Sequence, residues 1–143
     1  TEAEWEKAAR GVDGRVYPWG GGALPTCQRA VMNGFYEHPD FGWIYGYGCG
    51  LDETWLVGSI VVGASPYGAM DMSGNLWEWV ADRYGENYYS ETTYENPQGP
   101  LSGEEYVLRG GSYTTALFNL RTSVRIGSNP DYRFHYRGFR CAQ

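Results

Sequence analysis

The first eleven residues, TEAEWEKAARG, carry apolar side chains at helical spacing. These side chains belong to Ala3, Trp5, Ala8 and Ala9. Thr1 and Glu4 stand three positions apart in the pattern of a capping box, and Gly11 is typical of a helix end. The pattern predicts one amphipathic helix at the start of the chain.

Two later segments alternate with the period of a β-strand. The first, GNLWEWVAD at residues 74–82, places Trp77 on one face and Glu78 on the other, largely apolar face. A carboxylate on an apolar face is costly unless it is paired or binds a metal ion. The second segment, EYVLRGGSY, predicts a strand that breaks at Gly110 and Gly111.

The remaining stretches between these segments lack a periodic pattern. YPWGGG and GWIYGYGCG are rich in rings and glycines, which predicts loops in which glycine lets the backbone turn. Residues 83–104 are polar and rich in turn formers, and they predict a surface loop.

The end of the chain, NPDYRFHYRGFRC at residues 129–141, alternates again. Its aromatic positions are Tyr132, Phe134 and Tyr136, and its basic positions are Arg133, His135 and Arg137. The alternation predicts a strand with an aromatic face and a cationic face. Exposed rings would form a ligand-binding surface, whereas buried rings would leave a basic strip that suits acidic partners. We favour exposed rings, and we expect Phe139 and Trp77 to be core residues.

Charge is unevenly distributed along the chain, whose 143 residues suit one domain with a net charge of −6. Residues 82–106 hold six acidic residues and one Arg, whereas residues 107–143 hold six Arg and a single acidic residue. The acidic remainder of the chain repels phosphate, so the composition disfavours nucleic acid as a partner. No apolar run reaches the ~20 residues of a membrane span.

Three cysteines, Cys27, Cys49 and Cys141, form an odd set. A bridge between Cys27 and Cys49 and three reduced thiols are both compatible with this count. No C-x-x-C pair occurs, which disfavours a structural zinc site.

Three phrases carry a family resemblance: TEAEWEKAARG with YPWG, YGAMDMSGNLWEWVAD, and VLRGGSY with NPDYRFHYRGFRC. Together they resemble the domain of formylglycine-generating enzymes, also called sulfatase-modifying factors. The resemblance implies an α+β, loop-rich variant of the C-type lectin fold with few helices and short twisted strands. It also implies that an upstream segment of that domain is absent from residues 1–143 and that Cys141, whose usual partner lies there, is unpaired.

The resemblance bears on metal chemistry in two ways. The family's enzymes hold copper with two cysteine thiolates shortly after the RGGS phrase, but residues 113–125 contain no Cys, so we expect no copper. The family's calcium site lies under the GNxWEW phrase, where the matching positions are Asp71, Gly74, Leu76 and Glu78. Two carboxylates and two carbonyls suit Ca²⁺. The alternative is that Glu78 pairs with an Arg of the C-terminal segment.

Residues 113–140 contain no Glu, Lys, Met, Gln or Trp, although these types make up 24 of the 143 residues. The types that do occur are reachable from an AAC or AAT codon by replacing its adenines, which is the signature of adenine-targeted mutagenesis. The segment therefore resembles the variable proteins of diversity-generating retroelements, many of which use this lectin-type fold with the variable segment at the C-terminus.

This second resemblance implies a framework and an exposed, changeable set. The framework consists of Arg121, Arg125, Pro130, Asp131, Gly138, Phe139 and Arg140. The changeable set consists of Tyr113, Thr114, Thr115, Leu117, Phe118, Asn119, Ile126, Gly127, Ser128, Tyr132, Phe134, His135, Tyr136 and Arg137, and all of these except Gly127 are the predicted ligand-binding residues. Rigid rings among Ser, Gly and Asn resemble an antibody paratope.

The sequence thus predicts a non-catalytic ligand-binding domain at residues 1–143, with residues 107–143 as its variable, ligand-binding segment. The partner is a protein or another surface ligand. Two alternatives stay open: a fixed binding domain, and a metal-dependent oxidoreductase of the formylglycine-generating type.

Overall fold

A computed structural model describes residues 1–38, 42–46, 49, 53–92 and 95–141, and it describes only the backbone of residues 35–38 and 42–46. The helices are α1 (Glu2–Arg10) and α2 (Tyr88–Glu91), and short 3₁₀ helices lie at Val61–Gly63 and Leu117–Leu120. The strands are β1 (Gly34–His38), β2 (Gly42–Gly46), β3 (Trp77–Arg83), β4 (Tyr106–Arg109), β5 (Arg125–Ser128) and β6 (Arg137–Gly138). Short elements and long connections confirm the predicted α+β, loop-rich class.

Helix α1 begins and ends where its sequence predicts. The Thr1 side chain accepts from the backbone N–H of Glu4, and the Glu4 carboxylate bonds back to Thr1. Gly11 ends the helix with a φ of 68°, in the region that favours glycine. Trp5 and Ala9 are buried on the inner face of the helix.

Four strands form a mixed sheet in the order β5-β4-β3-β6. Strand β4 is antiparallel to β3 and β5, whereas β6 is parallel to β3. Strands β1 and β2 form a separate antiparallel hairpin. The C-terminal segment therefore supplies both edges of the sheet, and the connection between β5 and β6 must cross from one edge to the other.

Two predicted loops contain regular structure. Residues 42–46, GWIYG, form strand β2 because the backbone pairs with β1 along its whole length, so the loop prediction was wrong there. Residues 47, 48 and 50 of the same predicted loop lie outside the described residues. The predicted surface loop at residues 83–104 contains the one-turn helix α2.

The sheet register aligns charged side chains in one row under α1. Glu78 lies opposite Arg109, and Arg109 lies opposite Arg125, so the three side chains share a face. Arg109 is fully buried and donates to Glu6 at 2.6 Å, while Arg125 binds both carboxylate oxygens of Glu2 at 2.8 Å. Opposite charges thus join α1 to the sheet.

The turn after β4 requires glycine. Gly110 and Gly111 have φ values of 89° and 78°, which other residues rarely adopt. A Cβ atom added to Gly111 would lie 2.5 Å from the Leu120 side chain. The predicted break of the strand at this pair is confirmed, and its cause is both the turn and the close packing of Leu120.

The loops between α1 and β3 are held by a disulfide and a small core. Cys27 is bonded to Cys49, so the bridge is the alternative that the structure contains. A cross-link of this kind stabilises the fold mainly by restricting the unfolded chain. The adjacent core cluster consists of Tyr17, Ala30, Met32 and Leu120, with Cys49 packed against it.

Candidate ligand-binding surface

Residues 129–136 form a turn and loop, not the alternating strand that their pattern predicts. The Asn129 side chain accepts from the backbone N–H of Asp131 at 2.8 Å, which begins a turn. Only the two residues of β6 pair with the sheet, where Trp77 lies opposite Arg137. The strand prediction was wrong because the chain must cross the sheet here, and a crossing segment cannot pair with it.

The loop displays its rings on the surface. Tyr132 is 62% exposed and Phe134 is 43% exposed, as predicted. Tyr136 is half-buried and stacks on Phe134, with ring centroids 5.0 Å apart. The His135 ring contacts two other rings, with centroid distances of 5.4 Å to Tyr136 and 6.2 Å to Tyr113. The rings of Tyr113, Phe134, His135 and Tyr136 form one connected group.

Arg137 lies at the centre of this group. Its guanidinium carbon lies 4.4 Å from the Phe134 ring centroid, 5.7 Å from that of Tyr136 and 5.4 Å from that of Trp79. Its Nη1 donates to the Ser128 hydroxyl at 2.8 Å and to the Tyr132 carbonyl at 3.2 Å. Arg137 therefore connects the loop to β3 and to the end of β5.

Trp79 belongs to this group although the sequence-based set omitted it. It alternates with Glu78 along β3 and so faces away from the charged row under α1. Its partner in register is Leu108, which in turn lies opposite Ile126 of the predicted set. The two-residue period of the WEW phrase separates Trp79 from Glu78 and was the sequence signal that could have indicated its face. The period does not show which residues pack against the tryptophan.

Several predicted ligand-binding residues are not exposed. Tyr113, Thr115 and Ser128 are buried, at 7%, 8% and 7% exposure. Tyr113 packs in a cluster with Val31 and Ile60. The prediction of exposure was wrong for these three because each bonds to or packs against the framework that holds the surface.

The other predicted residues lie on the loop, at or beside the 3₁₀ helix and on β5. Thr114, Phe118 and Asn119 are exposed at or beside the 3₁₀ helix, where Leu117 is half-buried against the core. Ile126 is 36% exposed on β5. Contacts unite Tyr113, Ser128, Tyr132, Phe134, His135, Tyr136 and Arg137.

Phe139 departs most from its predicted place. It was expected in the core, but its side chain is 76% exposed, whereas Trp77 is 7% exposed and is confirmed as a core residue. Phe139 follows the two-residue strand β6 and lines the mouth of a cavity. The aromatic type suggested burial, but β6 ends one residue earlier and nothing in the described part of the chain covers the ring.

The Glu78 carboxylate is paired by protein groups. Trp5 Nε1 donates to it at 2.6 Å, and Arg140 Nε lies 2.9 and 2.8 Å from its two oxygens. Burial lowers the pKa of Arg140, but the hydrogen bond and charge of Glu78 outweigh this effect and leave the pKa raised. The structure thus contains the predicted alternative, an ion pair with a C-terminal Arg.

Three of the four candidate calcium ligands, Asp71, Leu76 and Glu78, line one cavity of about 360 Å³. Asp71 and Gly74 have φ values of 57° and 84°, so the loop between them follows an uncommon backbone path. A Cβ on Gly74 would lie 2.3 Å from the Val31 carbonyl, which explains the glycine. Carboxylates and loop carbonyls match the oxygen preference of Ca²⁺, with Arg140 as a competitor for Glu78.

The described residues contain neither a membrane-crossing helix nor a cluster of three metal-binding side chains. No helix among them is long and apolar enough to cross a membrane. Nor do three or more His, Cys, Asp or Glu side chains gather there into a group that could hold a metal ion. The candidate calcium site has only two carboxylates, and its other ligands are backbone carbonyls. It is therefore a different kind of site from a cluster of three such side chains.

Comparison with known proteins identifies the family. The model of the sulfatase-modifying factor enzyme 1-like domain matches residues 1–143. The chain is 34% identical over 151 residues to the formylglycine-generating enzyme of Mus musculus, covering 99% of this chain and 38% of that protein. It is also 34% identical, over 152 residues, to the inactive C-alpha-formylglycine-generating enzyme 2 of Mus musculus, covering 99% and 41%. The chain belongs to the family of sulfatase-modifying factor enzyme 1-like domains.

Solved structures agree with this assignment. Treponema denticola variable protein 1 superposes with a TM-score of 0.74 at 27% identity, covering 97% of this chain and 44% of that one. PvdO from Pseudomonas aeruginosa superposes with a TM-score of 0.72 at 25% identity, covering 97% and 49%. Both predicted resemblances are confirmed. The chain spans less than half the length of each of these relatives.

Proposed function

We propose that the chain is a non-catalytic ligand-binding domain that displays an aromatic, Arg-flanked surface at residues 129–137, as a variable protein of a diversity-generating retroelement does. The observation that carries the proposal is the exposed ring group of Tyr132 and Phe134, held on a loop that is anchored at both edges of the sheet. Its ligand is a protein or another surface.

Pre-organisation supports a binding role. Stacking and cation–π contacts already order the rings of Phe134 and Tyr136, so a ligand need not supply the free energy to order these two. Aromatic and Arg side chains dominate binding energy at protein interfaces. Arg133 is exposed beside the rings and forms no ion pair with the described residues, so it is available to an acidic group on a partner.

The chain is similar both to a formylglycine-generating enzyme and to a relative named as inactive. Similarity therefore does not decide whether this chain is catalytic, and the residues of the site must be considered. Residues 113–125, where the resemblance places two copper-binding cysteines, contain none. A thiolate-held Cu(I) centre requires those sulfur ligands. This absence supports a role in binding over one in oxidation.

We also propose that Asp71 and Glu78, with the carbonyls of Gly74 and Leu76, hold a structural Ca²⁺ ion. The cavity lined by Asp71, Leu76 and Glu78 supports the proposal. Because Arg140 binds both oxygens of Glu78, the ion must compete with this guanidinium, and weak, millimolar affinity follows.

The binding proposal is tested by ligand capture and then by titration with the purified ligand. The variant Tyr132→Ser, Phe134→Ser removes the exposed rings. Its control is Val12→Ser, Leu24→Ser, which removes two exposed apolar side chains from the loops after α1. We expect the ring variant to bind about tenfold or more weakly, and the control to bind like the wild type. Equal affinity of the two variants would refute the proposal.

A further inference from the structure

The cation at the centre of the aromatic group is the chain's own Arg137. Its guanidinium carbon lies within 6 Å of three ring centroids, those of Trp79, Phe134 and Tyr136. A cation at this distance from a ring face is attracted by the ring's quadrupole, and a set of such rings is the arrangement that binds organic cations. The three rings therefore have the composition of an aromatic cage.

The sequence predicted Arg137 to be an exposed residue that contacts ligand. In the structure, its guanidinium contacts other residues of the same domain. Arg137 is half-buried, and its Nη1 donates inward to Ser128 and to the Tyr132 carbonyl. Its Nε is buried and has no hydrogen-bond partner among the described residues. The rings, not a carboxylate, surround the charge.

These contacts also cross the sheet. Trp79 lies on β3, Ser128 ends β5, and Phe134 lies on the loop between β5 and β6. Since β5 and β6 are opposite edges of the sheet, Arg137 connects both ends of the loop to its middle. Loss of the guanidinium would remove these contacts and make the loop more mobile. The ion pairs under α1 would remain, because Arg137 is not part of them.

We propose that Trp79, Phe134 and Tyr136 form an aromatic cage for a planar guanidinium cation, and that Arg137 fills this cage and thereby positions the loop. The cage is a site for an alkylguanidinium group that becomes available when residue 137 is small. The proposal concerns the surface of the proposed binding function, but it does not depend on any ligand that the surface binds.

Chemical rescue of Arg137→Ala tests the cage. Amide hydrogen exchange at residues 129–137 should become about tenfold faster in this variant, while α1 and β4 keep their protection. Millimolar methylguanidinium should restore slow exchange in the variant and leave the wild type unchanged. Arg133→Ala is the matched control, because that exposed Arg lies outside the cage, and it should show neither effect.

Three probes separate the physical causes. Urea is planar but neutral, and methylammonium is charged but not planar, so neither should rescue Arg137→Ala as methylguanidinium does. Adding Trp79→Leu to Arg137→Ala should abolish the rescue by removing one ring of the cage. Equal rescue by urea, or unchanged loop exchange in Arg137→Ala, would overturn the proposal.

A second variant covers the case in which Arg137→Ala does not fold. Trp79→Leu alone keeps the arginine and removes one ring, so loop exchange should still increase. Unchanged exchange in Trp79→Leu would then overturn the proposal. Neither result measures ligand binding, and Tyr132→Ser alone tests binding without removing a ring of the cage.

Discussion

Glu78 shows how one residue type permits two structures. Its position on an apolar face predicted a partner, and both a metal ion and an Arg satisfied that requirement. Arg140 and Trp5 supply the partners in the structure. Removing Arg140 would leave the buried Glu78 carboxylate without this charged partner, which destabilises the folded state.

Side-chain exposure separates the aromatic residues of the C-terminal segment. Tyr132→Ala, Phe134→Ala and Phe139→Ala should each change the free energy of unfolding by less than ~0.5 kcal/mol, because all three rings are exposed. Trp77→Ala should cost ~3–5 kcal/mol, because this ring is buried. Denaturant unfolding of the four variants measures these values.

Tyr136→Ala is the internal comparison for this series, since its half-buried ring should give an intermediate loss. A severe loss in both Tyr132→Ala and Phe134→Ala would contradict the exposed surface. A severe loss in Phe139→Ala would show that this ring is covered in solution.

At the scale of elements, α1 is joined to the sheet by charges as much as by apolar contacts. Arg109 is fully buried, and its guanidinium lies over the Trp5 ring at 4.9 Å. Burial lowers the pKa of Arg109, and the charges of Glu2 and Glu6 oppose this effect. Such a network specifies one placement of the helix, because any shift would leave a buried charge unpaired.

Asp82 connects β3 to the first residue of α1 and predicts a pH dependence. It accepts from the Glu2 backbone N–H at 2.6 Å, while its Oδ1 is buried without a partner among the described residues. Burial raises the pKa of Asp82 above its ordinary value of 3.8, although the Glu2 hydrogen bond opposes the shift. The folded state therefore binds this proton more tightly than the unfolded state.

The stabilisation from the Asp82 proton is complete below pH 3.8 and is lost as pH rises through the raised pKa. Asp82→Asn should remove this loss, so it should unfold at higher denaturant than the wild type at pH 7 and vary less with pH above 3.8. Asp131→Asn, at an exposed carboxylate, is the control. Parallel pH profiles for the wild type and Asp82→Asn would contradict the prediction.

The loop between Asp71 and Glu78 predicts a response to calcium. Millimolar Ca²⁺ should raise the melting temperature relative to an EDTA-treated sample, because a ligand that binds only the folded state stabilises it by mass action. Asp71→Asn should abolish the shift. Arg140→Met removes the competing guanidinium and should enlarge the calcium-dependent shift in melting temperature relative to the wild type.

Melting curves with Mg²⁺ in place of Ca²⁺ control for ionic strength. Identical melting of the calcium-loaded and EDTA-treated wild type, together with an unchanged Arg140→Met, would rule out the calcium site. A shift that persists in Asp71→Asn would place the ion elsewhere.

At the scale of the whole molecule, most Arg side chains of the basic C-terminal segment contact carboxylates or rings of the same domain. Arg109 and Arg125 pair with the carboxylates of α1, and Arg140 pairs with Glu78. Arg137 lies among rings. The basic C-terminal segment therefore neutralises carboxylates of α1 and β3, not the described ones of residues 82–106, and Arg133 remains as the exposed charge beside the loop rings.

The chain as a whole should not form formylglycine. With Cu(I), oxygen and a sulfatase-type peptide, we expect no aldehyde above a copper-free control, because residues 113–125 supply no thiolates. Mass spectrometry of the peptide measures the product, and a formylglycine-generating enzyme is the positive control. Aldehyde in stoichiometric yield or above would refute the non-catalytic proposal.

Local chemistry in the sequence was sufficient for α1, β3 and β4. A capping box acts over three residues, a strand period over two, and the Gly110-Gly111 turn over its own backbone, so each signal lies within a short window. The long motif phrases likewise carried the family and the fold, which the comparisons confirm. The ion pairing of Glu78 was foreseen only as one of two alternatives.

Long-range packing decided the rest of the surface. Alternation in YRFHYR distinguishes two sets of side chains, but whether they form strand or loop depends on β5 and β6 being opposite edges of one sheet. Likewise, Arg137 is internal because Trp79 and Ser128, remote in sequence, meet it there. Burial is a property of what covers a residue. Tyr113 and Arg137 are covered by parts of the chain that no local pattern specifies, and Phe139 stays exposed because no described part of the chain covers it.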